Sequence, residues 1–209
     1  SVYRHEQEVP MLGLVRNTFP GRTVPQNFGK FYSLVLTGTC NFRCEYCDVQ
    51  GYAIDDRNWF PGTYTQKRSD IEEFIDGELQ RGIPIVFSGG EPTLMPQLVT
   101  DLAGRVRQQD GYSVMCTSGF SPRIVRRLAD VIDEISLSIK GNKERVEQMT
   151  PAPASLSWQG PLAVIREAAQ YPATLEVAWT LFDYVRAEDF RPVLDNFDPA
   201  FYLTLKEFV

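Results

Sequence analysis

Three cysteines, Cys40, Cys44 and Cys47, fall within eight residues, directly after the apolar run Phe31 to Thr37. No other feature constrains the chain as much. The run has the β-branched and aromatic content of a strand covered on at least one face. Thiolates spaced C-x3-C-x2-C on one loop can converge on a metal centre. A disulfide scaffold would instead spread more cysteines along a shorter chain. The remaining candidate soft ligands are Cys116 and His5, the single histidine among 209 residues. No basic segment followed by an apolar one suggests an export signal, so the thiols are expected in a reducing, cytoplasmic setting.

Composition narrows the field. Hydrophobic residues make up 43% and charged residues 23%, which suits a folded domain rather than a disordered chain. The formal net charge of −6 argues against a broad nucleic-acid or anionic-membrane surface. No apolar run approaches the ~18 residues needed to cross a bilayer.

Short apolar runs alternate with segments of helical period. Strands are expected at 31–37, 83–87, 112–116, 134–139, 174–181 and 201–208. Ser69 and Glu72 form a capping-box pattern ahead of an Ile71, Phe74, Ile75, Leu79 stripe that Gly82 would close. Further helices are expected from the stripe Leu98, Val99, Leu102, Val106, from Ser121-Pro122, from Leu162, Ile165, Ala169, and near Ala187 with Pro192 complicating it. Residues 48–66 and 150–160 read as long loops. The pattern predicts an α/β fold, a (β/α)6 partial, open barrel over residues 31–209, with residues 1–30 as an extension packing on it. A site would lie at the C-terminal ends of the strands.

A second motif stands after the second strand: Ser88-Gly89-Gly90-Glu91-Pro92-Thr93. Paired glycines let the backbone approach a ligand, and Glu91 adds a carboxylate. The three cysteines leave one iron of a cubane cluster for another ligand, because such clusters usually take four thiolates. The plainer alternative is a structural zinc site that recruits His5 or Cys116, in a non-catalytic metal-binding module. Cys116 alone reads as a buried structural thiol.

Together the two motifs resemble the radical S-adenosylmethionine (radical SAM) superfamily, with Tyr46 before the last cysteine and Ser88 to Pro92 similar to its GGEP motif. The resemblance implies a [4Fe–4S] cluster on Cys40, Cys44 and Cys47. S-adenosyl-L-methionine would chelate the fourth iron through its amino and carboxylate groups. Gly89, Gly90 and Glu91 would hold the methionine amino group, and Tyr46 would lie near the adenine. Reductive cleavage would give a 5′-deoxyadenosyl radical that abstracts a hydrogen atom.

Within the superfamily, Thr117-Ser118-Gly119 resembles the TNG-type loop of glycyl-radical activating enzymes. Ser138-Ile139-Lys140 resembles their D-x-K segment, in which the lysine helps to bind the SAM carboxylate. The tail from Leu175 to Phe208 is similar to the short activating proteins of anaerobic ribonucleotide reductase. That likeness implies a glycyl-radical enzyme as partner and a flavodoxin or ferredoxin as reductant. The pair Cys47-Asp48 is similar instead to 7-carboxy-7-deazaguanine synthases, which implies a small-molecule or peptide substrate as the alternative.

Overall fold

The computed structural model describes residues 32–37, 39–44, 47, 68–150, 154–182, 184–196 and 201–207. The proposed extension 1–30 and the loop 48–66 lie outside the described residues.

Six strands form one parallel sheet: β1 (Tyr32–Val35), β2 (Ile85–Ser88), β3 (Ser113–Thr117), β4 (Glu134–Ile139), β5 (Thr174–Leu181) and β6 (Phe201–Glu207). They lie side by side in chain order, with β1 and β6 at the edges. That is the topology of the open partial barrel expected above. The connecting helices are α1 (Arg68–Gln80), α2 (Pro96–Gln108), α3 (Pro122–Leu128), α4 (Lys143–Gln148), α5 (Ala154–Glu167) and α6 (Arg191–Leu194).

The two faces of the sheet are made of different residues. Leu34, Ile85, Phe87, Met115, Ile135, Leu137, Ile139, Leu175, Val177 and Trp179 are all buried in one cluster with the apolar stripes of the helices. Those stripes include Ile75 of α1, Leu102 and Val106 of α2, Leu128 of α3 and Ile165 of α5. Burial of each such side chain contributes about 1.5–3 kcal/mol, and this face carries the fold. The alternate positions make the other face. It begins as a small apolar patch of Val86, Tyr112 and Val114 with Cys116 against it. It continues across β4 and β5 as Glu134, Ser136, Ser138, Glu176, Ala178 and Thr180. Ser136 and Glu176 are register partners, and the Ser136 hydroxyl donates to Glu176 Oε2.

Trp179 anchors the end of the chain. It is fully buried, with its ring 4.5 Å from Phe190 and 6.3 Å from Trp158. Trp179 and Trp158 both belong to the apolar core cluster.

Three local expectations need correction. Helix α1 begins at Arg68, so Ser69 lies in its first turn and the Ser69–Glu72 pattern is not its N-cap. Glu72 instead accepts from Arg68 at 2.7 Å. The stretch 150–160 is not a loop throughout, because α5 covers 154–160 and continues past Pro161. Pro161 removes one intrahelical bond, which is why local rules read a break. The helix tolerates it where Gly160 lies close on the loop after β3; a Cβ there would stand 2.7 Å from the Gly119 carbonyl. Helix α4 was not anticipated; it is short, and Asn142 caps it by accepting from the Arg145 N–H at 3.1 Å. By contrast, Gly82 closes α1 as expected, with φ 67° and its N–H donating to Leu79 at 2.9 Å.

Candidate cofactor site

The cysteine loop leaves β1 at the C-terminal edge of the sheet and is pinned on three sides. Leu36 N–H donates to Ser88 O at 3.0 Å, Gly90 N–H to Thr37 O at 2.6 Å and Glu91 N–H to Thr39 O at 3.0 Å. These bonds extend the β1–β2 pairing beyond the strands, up to the residue before Cys40. The Arg43 N–H donates to Met149 O at 2.8 Å, just past the end of α4. Phe42 is buried and meets Phe120 edge-on at 6.3 Å, which seats the loop on the segment after β3.

The glycines have a definite task. A Cβ on Gly90 would stand 2.1 Å from the Thr39 carbonyl oxygen, and one on Gly89 2.6 Å from that of Thr37. Gly89 also has φ 124°, a region that side chains rarely adopt. The close approach these glycines allow is therefore, first, to the backbone that leads into Cys40.

None of the three motif cysteines is in a disulfide. Cys44 is buried, while Cys40 and Cys47 are half-buried. Cys47 N–H donates to Cys44 O at 3.1 Å, a turn that brings the last two together. Burial pushes the Cys40 thiol up to about 11; the Phe42 N–H and Lys140 act the other way, Glu91 with burial. A desolvated thiol of this kind is deprotonated outright when a cation coordinates it. Asn41 Nδ2 is buried without a partner, beside Cys40. The Cys40 thiol lies 3.9 Å from Asn41 Oδ1, and the spare donor on the same amide suits a sulfur-rich anionic cluster, whose sulfurs accept hydrogen bonds. Among the described residues, no group of three His, Cys, Asp or Glu side chains is placed to share one metal ion. On a cubane, each thiolate takes its own iron. The donor set fits a cluster.

Glu91 is the most heavily bonded side chain of the site. Its Oε1 accepts from Thr93 N at 3.1 Å, Thr93 Oγ1 at 2.6 Å and Thr117 Oγ1 at 2.6 Å. Its Oε2 accepts from Ser118 N at 2.8 Å and Ser118 Oγ at 2.6 Å. The sequence reads Glu91 in the Gly-Gly-Glu motif and Thr117 and Ser118 in a separate loop after the third strand. The structure brings them together as partners of one another.

Lys140 follows β4 and is half-buried. Its positive charge lowers the Cys40 thiol's proton affinity, against the effect of burial. Ser138 stands two residues earlier, on the polar face of the sheet beside Ala178. Ser88 ends β2. Tyr46 and Asp48 lie outside the described residues. Local motif reading missed Ser136 and Glu176. The signal was available, since β4 reads Glu-Ile-Ser-Leu-Ser-Ile, a period of two in a parallel sheet whose strands are usually apolar throughout.

A family model described as the Radical SAM superfamily matches residues 34–197. The chain belongs to the radical SAM superfamily. Membership implies a [4Fe–4S] cluster and SAM as cofactors. Radical SAM relatives of several activities are similar to it at modest identity. A GTP 3′,8-cyclase of Synechococcus elongatus is 32% identical over 115 residues, which are 53% of this chain and 34% of the relative. A 7-carboxy-7-deazaguanine synthase of Thermococcus kodakarensis is 27% identical over 154 residues, 67% of this chain and 57% of the relative. A protein of Methanocaldococcus jannaschii, provisionally described as a glycyl-radical enzyme activating enzyme, is 27% identical over 115 residues, 53% and 44% of the two chains. The chain thus spans between a third and three-fifths of these relatives. Streptococcus suis SuiB, solved with S-adenosylmethionine bound, has the same fold with a TM-score of 0.59 at 14% identity, over 85% of this chain and 40% of SuiB. Among the described residues, no helix is long and apolar enough to cross a membrane.

Proposed function

We propose that this radical SAM enzyme cleaves SAM reductively and abstracts a hydrogen atom from a backbone glycine of a partner protein, leaving a glycyl radical there. The observation that carries the radical chemistry is the cysteine loop itself, its three cysteines outside any disulfide and its backbone fastened to the Gly-Gly-Glu loop at one sheet edge. The activating-enzyme reading adds the Thr117-Ser118-Gly119 and Ser138-Ile139-Lys140 segments and the Methanocaldococcus jannaschii relative.

Cys40, Cys44 and Cys47 would hold the cluster. When bound, a reduced cluster supplies the electron that splits SAM into methionine and a 5′-deoxyadenosyl radical. The chain's own residues bind and shield. The Lys140 ammonium offers a charge for the SAM carboxylate, and the backbone at Gly89 and Gly90 an approach for its amino group. The sheet's polar face, led by Ser136, Ser138 and Glu176, would orient the hydrogen donor. Phe42 and Phe120 keep water from the cysteine loop, as a reactive carbon radical requires. A flavodoxin or ferredoxin would deliver the electron.

A second reading, modification of a small molecule, is favoured by the deazaguanine synthase relative, which aligns over more of this chain than the activating-enzyme relative does. The test is anaerobic. Protein reconstituted with iron and sulfide receives SAM and dithionite, and 5′-deoxyadenosine is quantified. Product is expected and must need all three motif cysteines; its absence from cluster-loaded protein with bound SAM counts against the reading. A glycyl-radical EPR doublet on an added anaerobic ribonucleotide reductase supports the first reading. Its absence, with 5′-deoxyadenosine formation that rises on adding a carboxylated pterin, supports the second.

A further inference from the structure

We propose that Glu91 is a positioning residue rather than a ligand of SAM: its carboxylate fastens the loop after β3 to the loops that carry the glycines and the cysteines. The inference rests on the reading that this sheet edge binds SAM, and it reassigns how one residue serves that site.

The carboxylate is 1% exposed and accepts from five donors, three on Oε1 and two on Oε2. A carboxylate offers roughly four lone-pair sites. The chain's own donors fill them, so an ammonium group would have to displace a hydroxyl or an N–H to reach either oxygen. Burying a carboxylate is costly unless its oxygens are satisfied, and here they are. Two of the donor residues, Thr117 and Ser118, stand 26 and 27 positions along the chain from Glu91. Thr117 Oγ1 is itself held, since it accepts from Gly119 N–H at 3.1 Å. These hydroxyls are thereby accounted for without a ligand.

Glu91 also reaches the other way. Its N–H donates to Thr39 O, one residue before Cys40. One residue therefore touches the cysteine loop through its backbone and the β3 loop through its side chain. Glutamine would break this arrangement. Its NH2 group would face the Thr93 N–H in one orientation and the Ser118 N–H in the other, and that backbone donor would be left without an acceptor. The three loops would then lose their common register, and SAM, which needs them together, would bind less well.

The test is a double-mutant cycle on SAM affinity in cluster-reconstituted protein. SAM binding is read by equilibrium dialysis, the reduced cluster by its EPR spectrum with and without SAM, and folding by melting temperature. The variants are Glu91→Gln, the pair Thr117→Val with Ser118→Ala, and all three changes together. The hydroxyl-keeping pair Thr117→Ser with Ser118→Thr is the rescue control. Glu91→Gln and the hydroxyl-less pair are each expected to weaken SAM binding about tenfold to a hundredfold with iron content retained. The triple variant is expected to be no worse than the weaker-binding parent, because contacting residues do not add. The control is expected to keep wild-type affinity. Loss of affinity in Glu91→Gln with none in the hydroxyl-less pair would make Glu91 a direct ligand and overturn the proposal. Additive losses would overturn it too, as would melting temperatures that fall while SAM affinity holds. A wild-type protein that loads iron but binds no SAM would overturn the functional reading instead. The same cycle, read in melting temperature, would then still decide whether Glu91 acts through Thr117 and Ser118.

Discussion

The site's residues divide into those that would bond a cofactor and those that bond each other. Cys40, Cys44 and Cys47 are of the first kind. Replacing any one by alanine is expected to abolish both cluster uptake and 5′-deoxyadenosine formation, as iron content and product assays would register. Cys116→Ala is expected to keep both, since that thiol packs against Val86, Tyr112 and Val114. Gly90 is of the second kind, with backbone on its doorstep. Gly90→Ala pushes a methyl group to 2.1 Å from the Thr39 carbonyl, and neither side of that contact is a flexible side chain. Gly90→Ala is expected to lose the cluster. Gly104→Ala in α2 meets nothing within 4 Å and should instead raise stability by about 0.5–1 kcal/mol in urea denaturation. What separates the two outcomes is the distance from each added methyl group to a neighbouring atom.

At the scale of elements, legibility followed the range of the forces involved. β4 and β5 fall at the residues read from the sequence, Glu134–Ile139 and Thr174–Leu181, because each is a complete run of alternating apolar positions. The start of α1 was misread because Arg68 engages Glu72 and reaches across to Asp101 of α2, a tertiary bond that no local pattern encodes. The N-terminal turns of α5 were hidden by Pro161 and by Gly160, which exists for a contact with the β3 loop. The Cys and Gly-Gly-Glu motifs were legible as chemistry. The bonding of Glu91 to Thr117 and Ser118 was not, since only the fold brings those residues together. One element-scale consequence is measurable. Arg105 of α2, and then Gln109, hold the Asp76 carboxyl of α1 down to about 2 from its ordinary 3.8. A depressed carboxyl stabilises the folded state above its unfolded value, and that stabilisation is lost as pH falls through the folded value. The urea midpoint of the wild type should therefore exceed that of Asp76→Asn near pH 5, and the gap should close on acidification towards about pH 2. High salt should shrink the gap at pH 5, because the pair is on the surface.

Across the described sheet, one face is apolar and packed against helices, while the other carries polar side chains on β4 and β5. Leu137 and Ser138 are neighbours in β4, yet they point to opposite sides. Leu137 is fully buried in the helix-covered core, where removing most of its side chain forfeits transfer energy and leaves a cavity. Leu137→Ala is expected to cost about 2–5 kcal/mol in chemical denaturation. It should leave SAM affinity near wild type under conditions where the protein remains folded. Ser138 is half-buried on the polar face, near the end of the strand that leads to Lys140. Ser138→Ala removes a hydroxyl without opening a cavity in that core, so its cost should stay within about 0.5 kcal/mol. If the polar face orients the cofactor and the hydrogen donor, Ser138→Ala should lower the yield of modified acceptor per 5′-deoxyadenosine. A mixed pattern, with Ser138→Ala destabilising and Leu137→Ala impairing SAM binding in folded protein, would mean that the two faces are not separable. The division matters because the apolar stripes of the described helices join the opposite face. Ser138 lies outside that apolar cluster, which is why its change is expected to register in activity before stability.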